Sequence, residues 1–298
     1  MANRAEIPLY NRQTQTLEFE QVFERGFMDF AYGHPLGRLF ESALFSRKWF
    51  SKLYGHLKEQ PGSQAQIQTF IQRYGLDISE LEKPPEAYAD YQAFFTRQLK
   101  PGARPIDPVP EHLVSPADAR VLMLPLEEGV VVPVKGKRFA LRDLLQNGSL
   151  AQTYAKGLCL IYRLAPVDYH HYCYIDRGWH RAHQRIAGAL HSVSPLAQAC
   201  RTVFPENERQ WTLLHTEQFG PVLQIEVGAL VVGRIQQLQS QGGKFERGQE
   251  KGWFALGGST IIQLFLPGKV AIDPDICYYS AQAIETRVHQ GSKVGKKN

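Results

Sequence analysis

The chain has 298 residues, 43% of them apolar, enough material for a buried core without disulfide or metal staples. Its charge excess is only +5, from 34 basic and 29 acidic residues, which excludes a nucleic-acid binder working by bulk charge and makes the placement of the cations the informative quantity. Four cysteines (Cys159, Cys173, Cys200 and Cys277) form no C-x-x-C pair and fit free thiols in a reducing compartment. With no apolar leader and no run of about 18 uncharged apolar residues, the expected location is cytoplasmic.

From about Gln21 to Tyr91, apolar residues recur at helical spacing, as in Leu36, Leu39, Phe40, Ala43, Leu44, Phe50 and Leu53, and predict several short helices. Here Phe30, Tyr32, Phe40, Phe45, Trp49, Phe50 and Tyr54 interleave with Arg38, Arg47, Lys48, Lys52 and Lys58. Aromatic residues beside cations on amphipathic helices suit the headgroup region of an anionic bilayer; the alternative is that the same aromatics pack on a neighbouring domain. The proline-rich "RQLKPGARPIDPVP" marks a hinge near residue 100. Beyond it the pattern becomes short β-branched runs such as "VLMLPL", "LCLIYRLA" and "STIIQLFL", interrupted by one helix at "RFALRDLLQN". The expected fold class is α+β, with N-terminal amphipathic helices over residues 1–100 packed on a mainly antiparallel β domain over residues 101–298.

Three stretches set reactive side chains beside apolar strands. "VSPADARV" places Asp118 after a proline turn, "YRLAPVDYHHYCYIDRG" packs Asp168, His170, His171 and Cys173 into six residues, and "ALGGSTIIQLFLPGK" puts Gly257 and Gly258 before Ser259 and Thr260. Each has an unreactive alternative: a turn or cap for Asp118, satisfied strand histidines, and a tight glycine turn. His170, His171, Cys173, His180 and His183 have the residue types of a zinc site but not a regular ligand spacing, so no metal is expected. The G-x-S-x-G turn of hydrolases is missing, because residues 257–261 read GGSTI. A serine after glycine at a strand start permits another reaction, in which its hydroxyl attacks the carbonyl just upstream of its own nitrogen. β-Elimination from the resulting ester would free a Gly258 carboxylate and leave dehydroalanine, which hydrolyses with loss of ammonia to a pyruvoyl group.

"YQAFFTRQLKPGARPID", "VSPADARV", "VKGKRFALRDLL", "RLAPVDYHHYC", "ALHSVSP", "FPENER", "KGWFALGGSTIIQLF" and "IETRVHQGSKVG" follow one another in this order. With these stretches the sequence resembles the self-cleaving, pyruvoyl-dependent phosphatidylserine decarboxylase proenzymes over most of its length. The resemblance implies a carboxy-lyase, peripherally bound to an anionic membrane through its helical first segment, that removes CO2 from phosphatidylserine to give phosphatidylethanolamine. It also implies cleavage between Gly258 and Ser259 into a β chain of residues 1–258 and an α chain of 40 residues (298 − 258). The pyruvoyl group at the head of the α chain would be the cofactor, an electron sink of the kind pyridoxal provides elsewhere. Carried over one at a time, Ser259 is the pyruvoyl precursor, Asp118 the charge-relay aspartate, and His170 the first histidine of the family's DYHRxH segment, near the decarboxylation chemistry. No nucleic-acid partner is expected, and a homodimer is among the compatible assemblies.

One departure from the family pattern touches the chemistry. The second histidine of DYHRxH, the family's relay base, falls on Cys173, and a thiol does not orient on an aspartate as imidazole does. His171, which shares a strand face with Cys173 if the stretch is extended, His191 in "ALHSVSP", and His170 itself are the available replacements. The expectation is that His191 is the compensating base and His170 protonates the substrate carbon. Two other readings stand beside this one: a catalytically degenerate, membrane-binding family member, and a pyruvoyl decarboxylase of a soluble amino acid.

Overall fold

The short β-branched runs beyond residue 110 become strands of one large sheet and three small ones. The computed structural model describes residues 7–20, 25–41, 48–127, 131–134, 137–230, 234–239, 242–256 and 259–298. In chain order these form the hairpin β1 (Pro8–Asn11) and β2 (Thr16–Phe19), then helices α1 (Arg25–Gly33), α2 (Pro35–Phe40), α3 (Lys48–Lys58), α4 (Ala65–Tyr74) and α5 (Tyr91–Phe95). Next come β3 (His112–Val114), β4 (Ala119–Pro125), β5 (Val131–Val134), β6 (Lys137–Ala140), α6 (Leu141–Leu145), α7 (Gly148–Thr153), β7 (Leu158–Leu164), β8 (His171–Cys173) and β9 (Gly178–Ile186). After α8 (Pro195–Cys200) and α9 (Val203–Glu206) follow β10 (Arg209–Thr216), β11 (Gly220–Val227), β12 (Ile235–Gln237), β13 (Gly243–Phe245), β14 (Glu250–Phe254), β15 (Ser259–Phe265) and β16 (Val270–Ile272). The chain closes with α10 (Pro274–Ala281), β17 (Glu285–Val288) and β18 (Lys293–Lys297). The fold is thus a mixed α/β one whose sheets are mainly antiparallel.

Ten strands pair in the order β13-β9-β10-β11-β15-β7-β4-β17-β1-β2, and only β1 against β17 is parallel. The central strands β7 and β15 are covered on both faces, which is why "LCLIYRL" and "STIIQLF" read as continuous apolar runs rather than alternating ones. On one face Ile161, Ile262, Ile225 and Trp211 lie side by side in register and pack with Leu144, Ala197 and Phe204 of the short helices. On the other, Tyr162, Ile261, Val222 and Phe265 meet Tyr172 and Phe254 of the small sheet β12-β14-β8, and Leu113, Val114 and Val294 of the small sheet β16-β18-β3.

The helices before residue 100 carry their own cluster, in which Ile67, Phe70, Tyr91, Phe94 and Phe95 pack with Leu256 from beyond β14. Asp90 caps α5 by accepting from Ala93 N at 2.7 Å, and α4 ends on the left-handed Gly75. Of the aromatic-basic residues, Phe30 and Phe40 are exposed, together with Leu36, Leu53 and Leu57, whereas Tyr32 is buried. Arg38, Phe45, Arg47, Lys48, Trp49, Phe50 and Lys52 lie outside the residues whose side chains are described. Among the described residues no helix is long and apolar enough to cross a membrane.

The site depends on how the chain passes between layers. Among the connections between the large sheet and the small sheets on its second face, four bear on the site: residues 115–118 from β3 to β4, 165–170 from β7 to β8, 255–258 from β14 to β15, and 289–292 from β17 to β18. Because β8 pairs with β14 and β7 with β15, the second and third connections are bracketed by the same two pairs of strands.

Candidate active site

Ser259 is the first residue of β15, in register with Leu164 of β7. Its side chain is fully buried, and its Oγ has no hydrogen-bond partner among the described residues. Gly257 and Gly258, the other half of the expected cleavage point, lie outside the described residues.

His170 closes the neighbouring connection, and its carbonyl accepts from Phe254 N at 3.0 Å, close to where the chain heads for Ser259. Its Nδ1 lies 2.9 Å from Asp168 O, an oxygen that can only accept, so Nδ1 carries the proton and Nε2 the lone pair. That Nε2 has no partner among the described residues, and the ring lies 4.1 Å from the ring of Phe95. Burial, followed by the nearby charge of Arg97, pushes the imidazole down to about 3, so it is neutral at any ordinary pH.

Asp118 enters from the first connection and is held by the Arg104 fork, with Nε at 2.8 and 2.9 Å from its two oxygens and Nη2 at 2.8 Å. Gln290 N, from the fourth connection, donates to the same carboxylate at 2.8 Å. Arg104 also reaches Glu80 at 2.9 Å; burial opposes its charge, but the two carboxylates raise its affinity for the proton. Gln290 Nε2 ties Pro116 O and His171 O together at 3.2 Å each. The next residue, Gly291, makes this possible: at φ 79° it passes under Pro105 and Ile106, where a Cβ would come within 2.7 Å of Pro105 O.

The remaining candidates are engaged elsewhere. Cys173 N donates to Pro116 O at 2.9 Å, which brings the residue beside the Asp118 connection, but burial pushes its thiol up to about 12 and keeps it protonated. His171 has both ring nitrogens occupied, by Glu250 Oε1 at 2.6 Å and Thr96 O at 3.1 Å, and stacks between Tyr169 and Trp253. His191 binds Glu41 through Nδ1 at 2.5 Å, in a buried network with Tyr32 and Arg201 that joins the first helices to α8. Among the described residues no hydrogen bond or ion pair links it to Asp118 or His170. His180 lies 2.6 Å from Tyr174 OH, and among the described residues no group of three His, Cys, Asp or Glu side chains could hold a metal ion. The four cysteines are unpaired.

Asp118 and His170 therefore close two of these four connections and the buried Ser259 opens the strand that the third one leads into, while Arg104, Gln290 and Arg97 are neighbours that the residue types alone did not single out. The signal for all three was present, since Arg97 and Arg104 stand in "TRQLKPGARP" and Gln290 in "VHQGSKVG".

A family model described as phosphatidylserine decarboxylase matches residues 91–296. The chain belongs to the phosphatidylserine decarboxylase family. It is 37% identical to phosphatidylserine decarboxylase proenzyme 2 of Clostridium acetobutylicum over 98% of this chain and 99% of the relative. Identity to the proenzyme of Desulfitobacterium hafniense is also 37%, over 98% of this chain and 99% of the relative, and to that of Fusobacterium nucleatum 37% over 99% of each. The phosphatidylserine decarboxylase match begins at the first residue of α5 and so takes in Phe95, Arg97, Arg104, Asp118, His170, His171, His191, Ser259 and Gln290.

Proposed function

We propose that the chain is a phosphatidylserine decarboxylase made as a proenzyme, which parts between Gly258 and Ser259 and carries a pyruvoyl group on the 40-residue α chain (298 − 258). The observation that carries this reading is the Ser259 hydroxyl, fully buried at the head of a central strand without a partner among the described residues. An unsatisfied buried hydroxyl costs about 1–3 kcal/mol, and such groups persist in native structures where chemistry uses them. Near-complete alignment with proteins named phosphatidylserine decarboxylase proenzymes supports the same conclusion.

His170 is the base in this reading. Its open, neutral Nε2 takes the proton from the Ser259 hydroxyl as Oγ attacks the Gly258 carbonyl, and returns it to the departing nitrogen. The pyruvoyl group supplies the electron sink for the pair released when CO2 leaves phosphatidylserine. His170 Nε2, neutral at rest, then relays a proton from the substrate ammonium to the carbon that lost the carboxylate, and Phe95 against the ring keeps water from competing for it. Asp118, with its oxygens occupied by Arg104 and Gln290, contributes a fixed negative charge beside the cleavage strand. Residues 1–100 act as the membrane-contacting part, with Phe30, Leu36, Phe40, Leu53 and Leu57 as the exposed apolar groups facing the lipid interface, and residues 101–298 as the catalytic part.

An intact mass spectrum of the denatured protein tests the proposal. Two chains are expected, the shorter one lighter by one ammonia than a serine-started fragment, and a single chain from Ser259→Ala. His170→Ala should also stay uncleaved while His191→Ala matures. The buried, protonated Cys173 in place of the family histidine favours one second reading, a non-catalytic membrane-binding member, and a single uncleaved mass from the native sequence would select it.

A further inference from the structure

Arg97, two residues beyond α5, is 3% exposed and forms no ion pair among the described residues. Its Nη2 donates to Val167 O at 2.8 Å and Asp168 O at 3.0 Å, its Nη1 has only a 3.5 Å contact to Phe95 O, and its Nε has no partner. Other buried arginines of this molecule look different. Arg209 gives Nε to Leu144 O at 2.6 Å, Nη1 to Asn207 O at 2.8 Å and Nη2 to Asp143 O at 2.8 Å, so none of its nitrogens is orphaned. Arg120 faces Glu20 and Asp168, and Arg163 faces Glu20 and Glu285. Of these four, Arg97 is the one that lacks both a salt-bridge partner and a full set of acceptors among the described residues; its guanidinium lies 5.3 Å over the Phe94 ring and feels the Asp168 carboxylate only from beyond ion-pair distance. A desolvated cation left in that state is expensive unless a ligand completes it.

Its position says which ligand. Asp168 O accepts from Arg97 Nη2 and from His170 Nδ1 at 2.9 Å, so guanidinium and imidazole sit on the same carbonyl. Phe94 and Phe95 of α5 pack in one cluster with Leu256, three residues before Ser259. An anion at Arg97 is therefore an anion of the molecule that reacts at Ser259.

The headgroup of phosphatidylserine offers two, a carboxylate and a phosphodiester. A guanidinium held against the carboxylate would stabilise the charge that disappears as CO2 leaves, favouring the ground state over the transition state. The phosphodiester keeps its charge throughout, lies three bonds from the reacting carbon, and matches the N–H donors that Arg97 has left. We propose that Arg97 binds the headgroup phosphodiester and makes this site select a phospholipid over other serine compounds. The inference rests on the reaction taking place at Ser259 and His170.

The test compares mature wild type with Arg97→Gln in detergent mixed micelles on two substrates, phosphatidylserine and an O-alkyl-L-serine of matched chain length that keeps the amine and carboxylate but has no phosphodiester. Arg97→Gln is expected to cleave into the usual two chains, to raise KM for phosphatidylserine on the order of 10- to 100-fold with kcat changed less than about threefold, and to leave the O-alkyl-serine rate unchanged. Equal losses on both substrates, or a fall in kcat at constant KM, would overturn the proposal in favour of a structural or catalytic duty. If Arg97→Gln does not mature, wild type decides alone. Phosphatidylmethanol, a phosphodiester without amine or carboxylate, should compete with substrate where diacylglycerol at the same surface fraction does not, and equal effects of the two would refute phosphodiester binding. Failure of the underlying siting would show instead as an uncleaved wild-type chain.

Discussion

At the scale of single residues, Asp118 and His170 are opposites. Asp118 is saturated by Arg104 and Gln290, while His170 spends one nitrogen on Asp168 O and leaves the other open. That difference is measurable through proton linkage. The ordinary histidine value of 6.5 applies to the unfolded chain, and the folded value is about 3. Below pH 6.5 the unfolded state therefore takes up a proton that the folded state refuses, and stability falls as pH drops through that window. Between pH 7 and pH 5 this one group should cost about 2 kcal/mol. Urea midpoints at the two pH values should show a smaller drop for His170→Gln than for wild type; parallel curves would mean that the imidazole is not held neutral. His180, pushed by burial down to about 4, adds to the wild-type slope in the same direction but is common to both proteins.

At the scale of elements, the site gathers two connections and the head of strand β15, and two devices hold them together. Gly291 lets residues 289–292 pass under Pro105, with its N on Ser115 O and its O accepting from Asp107 N, both at 2.9 Å. Gly291→Ala adds a strained left-handed alanine and a clash, so a loss of about 1–3 kcal/mol is expected. Self-cleavage should slow with it, because Gln290 loses its place on Asp118; a time course of chain separation reads this, and normal cleavage in a destabilised variant would separate Gln290 from the chemistry. The second device is the fully buried pair Lys251–Glu226, 2.8 Å apart. Glu226 accepts from Gln224, which in turn accepts from Gln263 of β15, so one polar cluster spans both sides of the proposed cleavage point. Lys251→Met leaves an uncompensated carboxylate and should cost about 3–5 kcal/mol, whereas Lys251→Met with Glu226→Leu should recover much of it. Denaturation midpoints of the uncleavable Ser259→Ala background would report this without interference from maturation.

For the whole molecule, the large sheet is covered on one face by helices and on the other by small sheets, and the helices before residue 100 reach the site through Phe95 and Leu256 while leaving Leu36 and Phe40 in solvent. Leu36→Asp with Phe40→Asp should lower co-sedimentation with anionic vesicles by at least about tenfold and leave cleavage intact, since each buried side chain of this size contributes roughly 2 kcal/mol. Unchanged co-sedimentation would move the membrane contact away from α2. The mainly antiparallel strands were legible in the amino-acid order, because hydrophobic period and turn chemistry are local properties; Ser259, Asp118 and His170 stand out there as candidates, and the cleavage experiments decide their roles. The hairpin of residues 8–19 was not legible, for β1 takes its place in the sheet only by pairing with β17 at the other end of the chain. Nor was the fate of the polar groups. Asp118 meets Arg104 from 14 residues away and Gln290 from 172, and His191 is drawn to Glu41 across 150. Whether a buried nitrogen finds an acceptor, as in Arg209, or is left waiting for one, as in Arg97, depends on which connections the sheets bring side by side, and that is decided only when the layers pack.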